Sequence, residues 1–167
     1  IIVKLGMNLT NPVTLVNQLY ANGAAAVVMF NRPYRPDIVI ESLKFHAGEM
    51  WTRPSDIGEA LRWVGICSAR IPHLDYAVSG GVHDGWATVK ALLAGASAVE
   101  VCTTLFWNGS KRLAVMQEQM QQWMEEHGYD NIPTFKGRMN LNTDEGDRLY
   151  GRTQFMKYFS GYKGREL

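Results

Sequence analysis

The 167-residue chain is 46% hydrophobic and 20% charged, which predicts a packed core and excludes a disordered protein. Lys and Arg total 17 against 16 Asp and Glu, so no strong field attracts nucleic acid or an anionic membrane surface. No apolar run approaches the roughly 18 residues of a membrane span. The two cysteines, Cys67 and Cys102, form no CxxC pair, which argues against a disulfide framework or a zinc site and predicts a cytoplasmic location.

Short apolar runs alternate with stretches of helical periodicity from the start of the chain, a pattern typical of βα units. Residues 1–5 predict a buried strand that begins at the first residue without an initiating Met, which indicates a piece of a larger protein. Asn11 and Pro12 then favour a helix start, and Gly23 favours its end. A second short strand is predicted at residues 25–30.

The connection at residues 31–54 is long and contains several Pro and Gly residues, so it is predicted to be irregular and functional. The stripe of Ile57, Leu61 and Val64 predicts a helix after it. A third strand is predicted at residues 75–79, followed by a helix that Asp84 caps and that runs to about Gly95. The fourth strand is predicted at residues 97–101.

The last predicted helix covers residues 110–127, and its stripe of large apolar residues is expected to face the core: Leu113, Met116, Met120 and Trp123. The chain after Pro133 is predicted to be an irregular tail that wraps over a surface or a partner. It carries an acidic cluster interpreted as a solvated turn (Asp144, Glu145 and Asp147) and several aromatic residues: Tyr150, Phe155, Tyr158, Phe159 and Tyr162.

Four βα units fill about 127 residues, whereas a complete (β/α)₈ TIM barrel has eight units and about 250 residues. The predicted fold is therefore α/β, either half of such a barrel or an open four-stranded domain, with right-handed crossovers. Four strands leave two open edges, which predicts self-association or a missing partner half.

Glycines and hydroxyl residues follow two neighbouring predicted strands. The third strand ends in Ser79-Gly80-Gly81, and the fourth ends in Cys102-Thr103-Thr104. Paired glycines let the backbone approach a ligand, and in barrels the loops after the last two strands commonly bind phosphate. We therefore predict a phosphate cup; the alternative for Gly80-Gly81 is a tight turn without a ligand.

Other polar residues near strand ends leave more than one interpretation. Lys4 faces either a cavity, where its charge would stabilise negative charge on a ligand, or solvent. Asn31 either binds a planar heterocycle or caps a turn. His73 and His83 are interpreted as loop histidines, and Cys102 as a packed thiol rather than a nucleophile. Without an HExxH motif or a His/Asp/Glu cluster, no metal site is predicted.

The ordered motifs resemble the class 1 dihydroorotate dehydrogenases, specifically the C-terminal half of these FMN-binding barrels. The resemblance covers residues 1–138, which leaves residues 139–167 as a C-terminal extension. It rests on VKL at residues 3–5, Phe30-Asn31, SGG at residues 79–81, AGASAVEVCTTL at residues 94–105 and GYDNIPTFKG at residues 128–137.

The resemblance implies an FMN cofactor at the C-terminal mouth of the barrel and a small-molecule substrate. By position, Lys4 would contact the flavin ring, Asn31 would bind the pyrimidine, and the phosphate site would comprise Gly80, Gly81, Cys102 and Thr103. The implied reaction is the oxidation of a 5,6-dihydropyrimidine, with hydride passing to flavin N5 while a base removes the neighbouring proton. The family's catalytic base lies in its N-terminal half, so none is assigned here.

The sequence departs from the family at three places. Cys102 stands where the family has Gly, Arg32 stands where a small Ser or Thr is usual, and GEMWTRP (residues 48–54) stands where a Gly-rich loop is usual. These departures keep open an FMN barrel that acts on another cyclic amide. A second alternative is an inactive half-barrel that binds phosphate or flavin, or only packs against a partner.

Overall fold

The computed structural model describes residues 1–151. This part of the chain contains the strands β1 (Ile2–Leu5), β2 (Ala26–Met29), β3 (Pro36–Val39), β4 (Lys44–Ala47), β5 (Asp75–Ser79) and β6 (Ala98–Glu100). Its helices are α1 (Val13–Ala21), α2 (Ile57–Arg70), α3 (Gly85–Ala94), α4 (Thr103–Asn108), α5 (Arg112–Glu126) and α6 (Asp144–Gly151). Short 3₁₀ turns lie at Pro54–Asp56 and Ile132–Thr134. Within residues 1–151, no helix is long and apolar enough to cross a membrane.

Four parallel strands form the main sheet, in the order β1-β2-β5-β6. They are the four strands predicted from the sequence, and β5 has the predicted bounds. Successive strands are joined through α1, α2 and α3, as the βα pattern requires. Apolar side chains between the sheet and these helices are buried, among them Val27, Tyr76 and Val78 on the strands and Val16 and Val64 on the helices.

The sheet is curved, because residues from its two edge strands meet across one face. A flat four-stranded sheet would hold the outer strands about 14 Å apart. Yet Nζ of Lys4 on β1 lies 2.5 Å from Oε2 of Glu100 on β6. The pair lies on the concave face, where Ile2 and Ala98 are exposed. A curved parallel sheet with helices on its convex side is the architecture of a partial α/β barrel.

The connection between β2 and α2 is more regular than predicted. It contains an antiparallel hairpin of β3 and β4, so the prediction of an irregular segment is wrong. The alternating apolar residues Ile38 and Phe45 permit this pairing, and Pro36 occupies the first position of its strand, where the missing N–H is tolerated. The hairpin side chains are exposed.

The end of the described chain also differs from the prediction. The predicted last helix begins at Arg112, and the separate helix α4 precedes it. Only Met116 of the expected apolar stripe is buried, while Leu113 is exposed because no described element covers that face of α5.

Part of the predicted tail is ordered against the helices. Asp144, Glu145 and Asp147 belong to the first turn of α6 rather than to a solvated turn, and negative charge there favours the helix. The backbone of Leu141 donates to the carbonyl of Gly65 on α2 at 3.0 Å. Phe155, Tyr158, Phe159 and Tyr162 lie outside the described residues.

Candidate functional site

A cavity of about 560 Å³ lies at the C-terminal ends of the four parallel strands. This is the end at which α/β barrels carry their ligands. The cavity wall contains all six residues that the sequence singled out for cofactor and substrate: Lys4, Asn31, Gly80, Gly81, Cys102 and Thr103. The structure thus brings together residues that are separated by up to about a hundred positions in the chain.

The turn after β5 requires its two glycines. Gly80 and Gly81 have φ angles of +95° and +76°, a region that residues with a Cβ rarely adopt. A Cβ on Gly81 would also lie 2.3 Å from the backbone nitrogen of Ile57, whereas one on Gly80 would meet only Thr52 at 3.9 Å. The turn therefore packs closely on α2 at Gly81 and stays open to the cavity at Gly80.

The neighbouring part of the cavity wall is formed by Cys102 and the start of α4. The interpretation of Cys102 as a packed thiol is wrong: the residue is exposed, because β6 ends at Glu100 and Cys102 lies between the strand and the helix. The first amides of a helix have no intrahelical partner, so Thr103 and its neighbours present N–H groups at this point. The Thr104 hydroxyl is not available to a ligand, since it is buried and donates to the carbonyl of His83.

Lys4 is paired with Glu100, a residue that sequence reasoning did not single out. Both side chains line the cavity and both are about two-fifths exposed, so the pair is accessible to a ligand. Burial alone would raise the pKa of Glu100, but hydrogen bonds from Lys4 and Ser79 outweigh it and hold that pKa below its ordinary value. Glu100 is therefore a carboxylate that compensates the charge of Lys4.

Asn31 and Arg32 follow β2 at the same rim. The backbone N–H of Asn31 donates to the carbonyl of Leu5 at 2.7 Å, which holds the ends of β1 and β2 together. Its side chain is exposed at the cavity. Arg32 extends instead into the loop before α2, where it forms an ion pair with Asp56 at 3.0 Å.

The loop at residues 49–56 spans the cavity rim and contacts the ends of β5 and β6. Thr52 bonds to Thr103 through its backbone N–H at 3.1 Å and its hydroxyl at 2.9 Å. The same hydroxyl lies 3.1 Å from Nε2 of His83. His83 thus belongs to this network, while His73 is exposed ahead of β5 and does not line the cavity.

Aromatic rings pack beside this network, and among them Trp51 lines the cavity. The ring of Trp51 stacks on Phe106 with centroids 4.3 Å apart, and Trp107 lies 5.9 Å from the ring of His83. Within residues 1–151, no group of three or more His, Cys, Asp or Glu side chains is arranged to hold a metal ion. The site offers amides, hydroxyls, the Cys102 thiol, the Lys4–Glu100 and Arg32–Asp56 ion pairs and aromatic faces.

The curved parallel sheet and the cavity at its C-terminal edge define the class of the protein: part of an α/β barrel with a candidate ligand site. Two crystal structures of dihydroorotate dehydrogenase from Eimeria tenella share this fold, one in complex with ferulenol and one ligand-free. Their TM-scores are 0.69 and 0.68 at 22% identity over 82% of this chain, which corresponds to 37% and 39% of their own lengths.

The sequence is similar to the same group of enzymes. The chain is 30% identical over 142 residues to the catalytic subunit of dihydroorotate dehydrogenase B (NAD(+)) from Pelobacter propionicus. The match covers 83% of this chain, and no protein-family model matches it. Sequence and fold together are dihydroorotate dehydrogenase-like. The chain spans about half the length of this curated relative, 46%.

Proposed function

We propose that the chain is the cofactor-binding part of an FMN-dependent oxidoreductase that oxidises a dihydropyrimidine-like substrate. The observation that carries the proposal is the convergence of Lys4, Asn31, Gly80, Gly81, Cys102 and Thr103 on one cavity. Sequence similarity supports the class of reaction, because the curated relative is the catalytic subunit of a dihydroorotate dehydrogenase. A catalytic base would come from the rest of the barrel.

The residues of the site fit an FMN phosphate. The glycine turn has a backbone conformation and a close approach to Ile57 that exclude a side chain at Gly81. It lines the same cavity as the start of α4, where a helix leaves its first amides without an intrahelical partner. Amides of this kind hold an anion without a lysine or an arginine. Gly80, Gly81, Cys102 and Thr103 would hold the phosphate, and Lys4 would face the flavin ring.

The flavin would accept the hydride. The residues of the chain would orient the flavin and the substrate and would provide charge beside the flavin ring. Asn31 offers both an amide donor and an amide acceptor to a cyclic amide at the rim. Lys4 would stabilise negative charge on the reduced ring, moderated by Glu100. The loop at residues 49–56 would exclude water from one side. A cytoplasmic location stays a prediction.

Comparison of FMN with riboflavin tests the proposal directly, because riboflavin lacks only the phosphate. We expect the purified chain to bind FMN at least about tenfold more tightly than riboflavin, as measured by quenching of flavin fluorescence, since about 1.4 kcal/mol from phosphate contacts suffices for that ratio. Gly80→Ala should reduce the ratio. Gly58→Ala on α2, where a Cβ meets nothing within 4 Å, is the matched control.

The outcomes test phosphate recognition and flavin binding separately. Equal affinity for FMN and riboflavin would contradict the phosphate cup, and the lack of any flavin binding by a folded chain would contradict the proposed function at this chain length. If flavin binds, addition of dihydroorotate to a complete barrel should bleach it. If dihydroorotate has no effect and a different cyclic amide bleaches the flavin, the alternative substrate class is favoured. Arg32 and Trp51 at the cavity rim are the reason for considering that class.

An inactive half-barrel is the second candidate. The exposed concave face, on which Ile2 is 68% accessible, favours a chain that needs a further half before it can act. In that case the chain would bind phosphate or flavin weakly, or only pack with its partner. Flavin binding that appears only after a complementary half is added would support this candidate.

A further inference from the structure

The guanidinium of Arg32 connects three points of the loop before α2. Its Nη1 donates to the carboxylate of Asp56 at 3.0 Å, and its Nη2 donates to the carbonyls of Glu49 at 2.8 Å and Trp51 at 2.7 Å. Arg32 and Asp56 are each only 25% exposed. The planar guanidinium has five N–H donors and can bind several acceptors in fixed directions. The ammonium group of a lysine, on its flexible side chain, does not reproduce this geometry.

A further hydrogen bond within the loop fixes it around the Arg32 guanidinium. The backbone N–H of Arg53 donates to Asp56 at 3.0 Å, so the same carboxylate holds both Arg32 and the loop. Burial alone would raise the pKa of Asp56, but the Arg53 backbone bond and the Arg32 guanidinium outweigh it and keep that pKa low. The loop is therefore fixed from inside, by a residue that belongs to the end of β2.

Two residues of this loop, Trp51 and Thr52, line the candidate site. Immediately after the Trp51 carbonyl that Arg32 holds, Thr52 bonds to the hydroxyl of Thr103. The Trp51 ring stacks on Phe106 of α4. A displacement of residues 49–52 would therefore move a wall of the cavity and release the hydroxyl at the start of α4.

We propose that Arg32 is a positioning residue that shapes the ligand site by fixing residues 49–52 against α4. Through Thr52, Arg32 orients the Thr103 hydroxyl beside the phosphate cup. Through Trp51, it positions a flat aromatic ring in the cavity wall. The inference deepens the proposed function and rests on it for the identity of the ligand. The arrangement of the loop itself does not depend on any ligand.

Arg53 provides a matched control. It lies in the same loop and pairs with Glu49 at 2.6 Å, but its side chain is 70% exposed and does not line the cavity. An exposed pair of this kind contributes little to stability. Arg53→Ala therefore removes an arginine and an ion pair from the loop without removing the internal bonds made by Arg32.

The first readout is hydrogen exchange of the full chain without ligand. Within residues 49–53, the amides of Thr52 and Arg53 donate to Thr103 and Asp56. Arg32→Ala should raise their exchange by about tenfold, since several charge-assisted bonds that hold the loop are lost, and Arg53→Ala should change it much less. Exchange of the Phe106 amide, which donates to the Cys102 carbonyl, should also rise because α4 loses its contact with Thr52. Arg32→Lys, which keeps the charge, should restore only part of the protection.

The second readout is the ratio of FMN to riboflavin affinity, which a purely structural role would leave unchanged. Arg32→Ala should lower this ratio by about tenfold while Arg53→Ala preserves it. Unchanged exchange in Arg32→Ala would overturn the inference whether or not flavin binds. Raised exchange with an unchanged ratio would also overturn it, because the loop would then not shape the site.

Failure of the proposed function is distinguishable from failure of this inference. If the wild-type chain binds no flavin, the proposed cofactor is wrong for this chain. Raised exchange at both residues 49–53 and Phe106 in Arg32→Ala would then still support the coupling of the loop to α4. Raised exchange confined to residues 49–53 would overturn that coupling.

Discussion

Under the proposed function, the Lys4–Glu100 pair would set how much positive charge the candidate site offers to a flavin. A lysine beside the ring stabilises the reduced, anionic state, and a carboxylate 2.5 Å from its Nζ offsets that effect. Because both groups are about two-fifths exposed, water screens the pair and its energy is modest. Glu100 would therefore reduce the effect of the Lys4 charge on the flavin without cancelling it.

Glu100→Gln should make the bound flavin easier to reduce. Glutamine keeps the size of the side chain but removes the charge that compensates Lys4, so the reduction potential should rise by about 20 mV, which corresponds to about 1 kcal/mol for a two-electron couple. Equilibration with a reference dye measures the shift. Glu118→Gln on the exposed surface of α5 is the control and should leave the potential unchanged. A shift to lower potential would contradict the assigned role of Glu100.

The two cysteines differ in environment and should differ in reactivity. Cys67 is buried in the core, and burial raises the pKa of its thiol to about 12, so almost no thiolate forms near neutral pH. Cys102 is exposed and lines the cavity. Cys67 therefore serves as an unreactive internal standard, and the reactivity of Cys102 reports on the candidate site.

Thiol titration should find one fast cysteine in the native chain and two after denaturation. Cys102→Ser should abolish the fast reaction, and FMN should slow it if the cofactor covers this part of the cavity. A disulfide-based thiol reagent followed by absorbance provides the measurement. Two fast thiols in the native chain would contradict the burial of Cys67, and a fast reaction unaffected by saturating FMN would place the cofactor elsewhere.

The β5–α3 turn shows how a short connection can be constrained by its neighbours. Both glycines have positive φ, which costs a residue with a Cβ about 1–2 kcal/mol. Gly81 also packs on the backbone of Ile57 at the start of α2, which cannot move as a flexible side chain would. The turn is thus held both by its own conformation and by the adjacent helix.

Alanine at the two glycines should separate these effects. Gly80→Ala should lower the free energy of unfolding by about 1–2 kcal/mol, from backbone conformation alone. Gly81→Ala should lower it by a further 1–3 kcal/mol, roughly the cost of overpacking. Urea denaturation followed by circular dichroism measures both. Equal destabilisation by the two substitutions would show that the contact between Gly81 and Ile57 contributes nothing.

Local sequence signals predicted the elements that depend on local chemistry. Asp84 caps α3 by accepting from the N–H of Ala87 at 2.8 Å, as expected from its position before an apolar helix. The continuous apolar run at Ala26–Met29 marks a strand buried in a parallel sheet. The motif positions at Gly80 and Thr103 also came together at one cavity, because the carboxyl ends of parallel strands share one edge.

What sequence reasoning missed depends on the meeting of distant segments. The Lys4–Glu100 pair joins residues 96 positions apart and requires the curvature of the whole sheet. Arg32 was noted as a departure from the family, but nothing local shows that its guanidinium reaches Asp56 and two carbonyls of a later loop. The exposure of Cys102 followed from a strand one residue shorter at its end than predicted.

At the scale of the whole molecule, the sheet has two outer strands and an open concave face. Within residues 1–151, the main sheet ends at β1 on one side and at β6 on the other. In a complete barrel those edges would pair with further strands, and the interior would be filled by layers of side chains. Unpaired edges of this kind are templates for association.

The isolated chain should therefore associate unless a complementary half covers these edges. We expect light scattering at micromolar concentration to give a mass above the 18.8 kDa of one chain. Ile2→Lys, which places a charge on an exposed position of the edge strand β1, should lower that mass, because edge lysines oppose strand pairing. Leu113→Lys on the exposed face of α5 is the control, since it adds the same charge away from the sheet. A monomer at every concentration, or equal effects of the two substitutions, would show that the open edges do not drive association.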